Sequence, residues 1–356
     1  MSAREQRVAR LREAMATDEL DALLVTEPTN IRYLSGFTGT NGLCLLTAEG
    51  GRFFTDFRYT ERAEAEVQAF ELADAARDLV PKAVEGLTGR IGFDDDEFTV
   101  SRHRKLTERI EDGAELIAAG GMVEALRRRK DAAELEVIAA AAEIADQAYR
   151  WAFEQGLKGR TEREVAVAAV RRMVELGADG PSFPPIVATG PNGALPHAEP
   201  GDRIIAPGDL VVFDMGASAG GYASDCTRTV AIGEPAGRGR EMYELVQAAQ
   251  QAGLDAVAAG AEGADVDAAA RAVIDEAGHG DAFGHGVGHG VGMEVHEAPR
   301  LAPTATDTLQ AGDVVTIEPG IYLRGELGVR IEDLVAITAE GPRNLSSLPK
   351  DLLEVD

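Results

Sequence analysis

The sequence predicts an α+β protein in two parts: a small α/β N-terminal domain with a mixed sheet over residues 1–121, then a pseudo-twofold domain over 122–356 with an antiparallel sheet and flanking helices. Three observations predict it. The chain has 356 residues, 45% hydrophobic and 27% charged, enough for two separate cores in a globular protein. Up to Gly120-Gly121, short apolar runs alternate with helical patterns, as in an α/β unit. Beyond that point the order helix, helix, antiparallel strands occurs twice without any residue-level repeat, which suggests two halves enclosing one sheet.

An amphipathic helix with Val8, Leu11 and Met15 on one face opens the chain. Because it is charged rather than a basic start followed by an apolar run, no signal peptide is evident, and no apolar segment is long enough to span a bilayer. A cytoplasmic protein is expected. The strand 21–26 is closed by Pro28-Thr29-Asn30, and 43–47 and 52–55 make a hairpin around Glu49-Gly50-Gly51. A polar helix from about Tyr59, a strand near Phe70, a helix from Pro81, the strand 90–93, the helix 100–110 and the strand 114–118 complete the first part. The acidic cluster Asp94-Asp95-Asp96-Glu97 reads as a solvated turn. In the second part, the helix 131–155 stops at Gly156, and 161–176 begins with a capping box of Thr161 and Glu164. Strands 186–188, 210–215 and 222–232 follow, then helices 238–259 and 266–277, a glycine-histidine run, and strands 314–318 and 329–337.

The net charge of −26, from 35 Lys and Arg against 61 Asp and Glu, argues against nucleic acid or anionic membrane as partner. Lysine occurs only at 82, 105, 130, 158 and 350. An acidic, lysine-poor surface suits concentrated salt, where self-repulsion is screened; ordinary acidity with a GC-rich genome is the alternative. Cys44 and Cys226, in apolar or strand-like contexts, are expected as packed thiols.

The run 284–297 holds three of the six histidines, His285, His289 and His296, among glycines at 284, 286, 288, 290 and 292. Each interior glycine costs a helix roughly 1 kcal/mol against alanine, so a zincin helix is excluded, and Gly286 stands where that motif needs its Glu. Glycines let the backbone take positive φ and approach closely. A flexible loop with incidental histidines is the bland reading; three imidazoles on such a backbone suggest a metal site. His289 and His296 are seven apart and would face opposite sides of a straight strand, so a bend at Gly290 and Gly292 is required.

Carboxylates complete the picture. Asp214 and Glu318 each end an apolar strand, Asp225 lies beyond the Gly220-Gly221 turn where hairpin pairing could return it to Asp214, and Arg330 and Glu332 share a face of the last strand. One such carboxylate reads as a salt bridge or cap; four at strand ends beside histidines favour a metal site. Asp214, Asp225, Glu318 and Glu332 carry −4 when ionised and Arg330 offsets one unit, so they cannot all stay ionised without cations. Two divalent metals supply +4. Oxygen donors with one imidazole, His289, suit Mn²⁺ or Co²⁺ at least as well as Zn²⁺. Two such ions activate a water near neutral pH and polarise a carbonyl, which is hydrolytic chemistry.

These residues resemble the pita-bread metallopeptidases, specifically the Xaa-Pro peptidases, prolidase and aminopeptidase P. The matching stretches are 30–40, 188–197, 214–217, 224–229, 286–299, 316–322 and 329–333, spread over nearly the whole chain. The resemblance implies a pita-bread catalytic domain in which Asp214 chelates one metal, His289 and Glu318 the other, and Asp225 and Glu332 bridge them. It implies that His296 hydrogen-bonds the scissile carbonyl, His197 assists at the tetrahedral intermediate and His285 lines the pocket for the amino end or proline. Glu318 would also accept the proton of the attacking water, and Arg330 would orient the bridging carboxylates. The expected substrates are proline-containing dipeptides or short peptides, and a homodimer is expected. A hydrolase of the same fold acting on a non-proline amino end, or a binding protein without catalysis, are the alternatives. From the charge balance, thermal melts should show the midpoint rising from low salt into molar KCl; an unchanged or lower midpoint contradicts the screening argument.

Overall fold

The computed structural model describes residues 1–73 and 77–356. The chain forms two compact units, Met1–Arg127 and Arg128–Asp356. Where the sequence suggested a division at Gly121, the helix Met122–Arg128 begins. Asn30 Nδ2 donates to Glu124 at 2.5 Å and Arg127 Nη1 to Asn30 at 2.9 Å, so that helix is tied to the first unit.

The first unit is built on a six-stranded mixed sheet. Ala22–Val25 sits inside it, antiparallel to Gly42–Thr47 and parallel to Arg90–Phe93, and Gly51–Thr55 and Glu115–Ala118 extend the two sides. Ala3–Thr17 buries Val8, Leu11 and Met15 as its periodicity requires. One expectation is extended here and another corrected. The strand Ala22–Val25 does end before Pro28-Thr29-Asn30, but this segment is more than a stop: it starts the helix Pro28–Ser35. Glu27 accepts from the N–H groups of Thr29 and Asn30 at 2.8 and 2.6 Å, and Pro28 takes the first helical position, where a missing N–H costs nothing. Asp94 is not part of a solvated turn: it is buried and accepts from Thr26 N–H, Thr26 Oγ1 and Glu27 N–H at 2.7, 2.9 and 2.8 Å. Only its neighbours Asp95, Asp96 and Glu97 are exposed.

In the second unit, Ala132–Glu154 and Glu162–Glu175 pack on Leu210–Asp214 and Thr227–Ile232 around Tyr149, Val165, Val211 and Phe213. Gly239–Ala256 and Gly263–Glu276 pack in the same manner around Val246, Ile274, Val315 and Ile317, on the strands Val314–Ile317 and Asp333–Thr338. Both helices of the first pair open with reciprocal caps, Asp131 with Glu134 and Thr161 with Glu164. The strand pairs share a geometry: Asp214 stands opposite Thr227, and Ile317 opposite Asp333, each in an antiparallel register. The strands form small separate sheets rather than one continuous sheet.

Two strands expected to be continuous are interrupted, and the interruptions matter. Tyr222–Ala223 and Thr227–Ile232 are separate, with Asp225 in the gap; Leu327–Arg330 and Asp333–Thr338 are separate, with Glu332 in the gap. Arg330 and Glu332 therefore do not lie on one strand. Leu327–Arg330 pairs with Gly320–Leu323, whereas Asp333–Thr338 pairs with Val314–Ile317. Leaving the ladder at these residues frees their side chains from the alternation of a strand. Among the described residues no helix is long and apolar enough to cross a membrane, and both cysteines are free and buried. Replacing Asp94 by Ala leaves three donors without their acceptor and should cost about 1–3 kcal/mol in chemical denaturation; wild-type stability contradicts this role.

Candidate metal centre

Asp214, Asp225, Glu318, Glu332, His197, His285, His289, His296 and Arg330 all line one cleft of about 840 Å³ within the second unit. Tyr149 helps to set its floor. The hydroxyl stands 2.8 and 2.5 Å from the carbonyls of Phe213 and Cys226 and accepts from Met215 N–H at 3.1 Å, so it touches the neighbours of both Asp214 and Asp225. Beneath Glu332, the buried Arg228 donates to its carbonyl and pairs with Asp333 at 2.7 Å.

Glycines bring the histidine segment in. A Cβ on Gly288 would lie 2.0 Å from Thr316 O, and one on Gly290 would lie 2.2 Å from Ala298 O. None of the glycines at 284, 286, 288, 290 and 292 has positive φ, so close approach rather than a left-handed turn explains those at 286, 288, 290 and 292. The required bend is present: the strand Gly288–Gly290 carries a register shift between His289 and Gly290, then leaves the ladder. The rings of His289 and His296 come within 4.4 Å of each other, centroid to centroid.

Asp225, His289 and Glu332 place donor atoms within 4.8 Å of one another. His289 Nε2 is 3.2 Å from Glu318 Oε1 and 3.7 Å from Asp225 Oδ2. Its Nδ1 faces Gly290 O at 3.1 Å, which leaves Nε2 directed at the carboxylates. Asp214 Oδ2 is gripped by Arg330 Nη2. Arg330 also donates through Nε to Thr227 Oγ1 at 3.1 Å and through Nη1 to Tyr322 OH at 2.7 Å. Thr227 Oγ1 in turn donates a hydrogen bond to Glu332 Oε2 at 2.7 Å, so one hydroxyl joins the guanidinium to a second carboxylate. Thr316 works similarly, accepting from His289 N–H and donating to Glu318. Thr227, Tyr322, Thr316 and Tyr149 received no role from the sequence, although Thr227, Thr316 and Tyr322 lie inside the motif stretches.

The electrostatics are those of crowded anions. Burial pushes the carboxyls of Asp225 and Glu332 well above their ordinary range, and neighbouring carboxylates push further. Burial also raises Asp214, with Arg330 opposing. Glu318 is lowered despite burial because His289 faces it, and His289 is pushed up to about 9 against its own burial by Glu318 and Asp225. Asp214 Oδ1 and Glu332 Oε1 are buried with no hydrogen-bond partner among the described residues. A polar atom left so carries an uncompensated desolvation cost. Divalent cations remove both problems, and this donor set fits them.

A cleft floored by four carboxylates and an imidazole, on paired helix-and-strand halves, defines a metal-dependent hydrolase. Residues 136–339 match metallopeptidase family M24, and residues 7–129 match the creatinase/prolidase N-terminal domain. The chain belongs to metallopeptidase family M24, with the pita-bread fold. It is 40% identical to the uncharacterized peptidase YqhT of Bacillus subtilis, over 98% of this chain and 99% of that one. It is 35% identical to the Xaa-Pro dipeptidase of Pyrococcus furiosus, over 98% and 100%. The solved structure of the Xaa-Pro dipeptidase from Bacillus anthracis superposes with a TM-score of 0.94 at 39% identity, covering 99% of this chain and 100% of that one.

Thr227→Val keeps the side-chain shape and removes the hydroxyl joining Arg330 to Glu332. Divalent metal binding, measured by calorimetric titration of chelator-treated protein that remains folded, should weaken about 10- to 100-fold; wild-type affinity contradicts the orienting role.

Proposed function

We propose that this metallopeptidase is a two-metal exopeptidase that hydrolyses the bond between an N-terminal residue and proline, with Xaa-Pro dipeptides as preferred substrates. The observation that carries the reading is the convergence of Asp214, Asp225, Glu318, Glu332 and His289 in one cleft, with two buried carboxylate oxygens lacking partners. The names of the Pyrococcus furiosus and Bacillus anthracis relatives support the substrate class. The intact donor set weighs against a non-catalytic binding protein.

Asp214 would hold one cation, His289 and Glu318 the other, and Asp225 and Glu332 both, with Mn²⁺ or Co²⁺ favoured over Zn²⁺ by the oxygen-rich donors. When bound, the cations supply Lewis acidity to a carbonyl and lower the pKa of water. Arg330 opposes the effect of burial on Asp214 and, through Thr227, fixes Glu332. Glu318 would take the proton of the attacking water. His296 and His197, exposed at the cleft, donate toward the scissile carbonyl as negative charge develops on its oxygen.

His285 acts differently. Its Nδ1 donates to Gly286 O at 2.8 Å, so Nε2 accepts from Tyr322 OH at 3.0 Å, while that hydroxyl accepts from Arg330. Burial lowers its pKa, in keeping with a neutral ring. With both nitrogens engaged, His285 offers carbon edges, a surface for an apolar residue such as proline. Proline has no N–H and a fixed φ, so recognition by shape suits it better than strand-like pairing. Arg300 favours dipeptides. It lies opposite His289 in the strand pair, lines the cleft, and its guanidinium has no hydrogen-bond partner among the described residues, so it can receive a free carboxylate.

A turnover panel tests this. Ala-Pro should be cleaved faster than Ala-Pro-Ala, and Ala-Ala scarcely at all. Chelation should abolish activity and Mn²⁺ or Co²⁺ should restore it. Arg300→Ala should lower kcat/KM for Ala-Pro more than for Ala-Pro-Ala. Full activity without divalent metal by elemental analysis, or equal turnover of Ala-Ala, overturns the proposal.

A further inference from the structure

The stretch 283–287 carries His285 and leads into His289, yet it forms no regular secondary structure. Gly284 and Gly286 lie within it, and Gly284 has nothing within 4 Å of where a Cβ would stand, so no close approach constrains that residue. Glycine-rich chain of this kind is costly to order. One ion pair on the helix Gly263–Glu276 grips its main chain at three residues. Asp267 and Arg271, one turn apart, pair through two hydrogen bonds, Nε to Oδ2 at 2.7 Å and Nη2 to Oδ1 at 2.9 Å. Asp267 is buried, and its Oδ1 also accepts from Val287 N–H at 2.9 Å. Arg271 uses two further donors on carbonyls, Phe283 O at 2.8 Å and His285 O at 2.7 Å, while its guanidinium lies 4.1 Å over the Phe283 ring.

The backbone groups at 283, 285 and 287 are thus gripped at alternate residues, as a neighbouring strand would grip them. From Val287 the connection continues inward: its carbonyl accepts from Glu318 N–H at 2.7 Å. The same ion pair therefore fixes the main chain on both sides of His285 and, through Val287, which stands two residues before His289, reaches the main chain of Glu318. Neither Asp267 nor Arg271 lines the cleft.

We infer that Asp267 and Arg271 are positioning residues: their ion pair stands in for a missing strand and sets the place of His285 and of the His289 and Glu318 half of the metal centre. The inference rests on the two-metal reading above. It assigns the pair no contact with substrate or metal, and it predicts a selective defect.

The test is Co²⁺ titration of chelator-treated protein followed by visible absorbance, together with melting point and with kcat and KM for Ala-Pro at saturating Co²⁺. Wild type should take up two equivalents. Arg271→Met should bind one of them with near wild-type affinity and the other about 10- to 100-fold more weakly, and KM should rise more than kcat falls. Arg271→Lys should rescue little, because a single ammonium cannot serve two carbonyls and a bidentate carboxylate together. Should Arg271→Met not fold, Asp267→Asn carries the test, since it keeps an acceptor for Val287 N–H and loses the charge. Two equal wild-type affinities and an unchanged KM in the variant, with or without a lower melting point, overturn the inference alone. A wild type that takes up no Co²⁺ overturns the two-metal reading and this inference with it.

Discussion

Four carboxylates that repel one another set the terms for the second unit. Two unit charges 4 Å apart interact by about 4 kcal/mol at the effective dielectric of a partly buried site, so Asp214, Asp225, Glu318 and Glu332 oppose their own assembly. One guanidinium and one imidazole offset part of this: Arg330 on Asp214, and His289 between Glu318 and Asp225. What remains is visible as raised carboxyl pKa values at Asp225 and Glu332 and as two buried oxygens without partners among the described residues. The apparent defect is the binding capacity, because the site is complementary to cations that the protein does not itself supply.

Holding such a cluster requires rigid surroundings, and each half provides them in its own way. In the first, Tyr149 from a flanking helix fastens the strand ends beside Asp214 and Asp225. In the second, Asp333 is fully buried and pairs with Arg228 at 2.7 Å and Lys350 at 3.0 Å, directly after Glu332 in the chain. Breaking a buried pair by removing one partner typically costs about 3–5 kcal/mol, so these anchors can withstand the repulsion in front of them. The interruptions at Asp225 and Glu332 release both carboxylates from the ladder beside these anchors.

Much of this was legible in the sequence because it is local. The reciprocal caps at Thr161 and Glu164, the apolar runs ending in Asp214 and Glu318, and the bend demanded by His289 and His296 are each decided within a few residues. Apart from the helix start at Pro28, which is also local, what escaped depends on partners far away in the chain. Glu27 makes Pro28 a helix start through its own carboxylate, which the motif around Asn30 could have suggested. Asp94 looks like any solvated turn until Thr26 and Glu27 are brought to it. The gaps at 224–226 and 331–332 carry no glycine or proline punctuation. Thr227, Tyr149 and Tyr322 look like ordinary strand and helix residues, and only the tertiary contacts give them their tasks.

The central claim is that repulsion among these carboxylates is relieved by two cations at defined places. An anomalous difference map from crystals of the protein grown with Mn²⁺ addresses it directly. The account predicts two peaks sharing Asp225 and Glu332, one completed by Asp214 and the other by His289 and Glu318. A single peak, or metal held by other residues while these carboxylates stay together without it, would contradict the account.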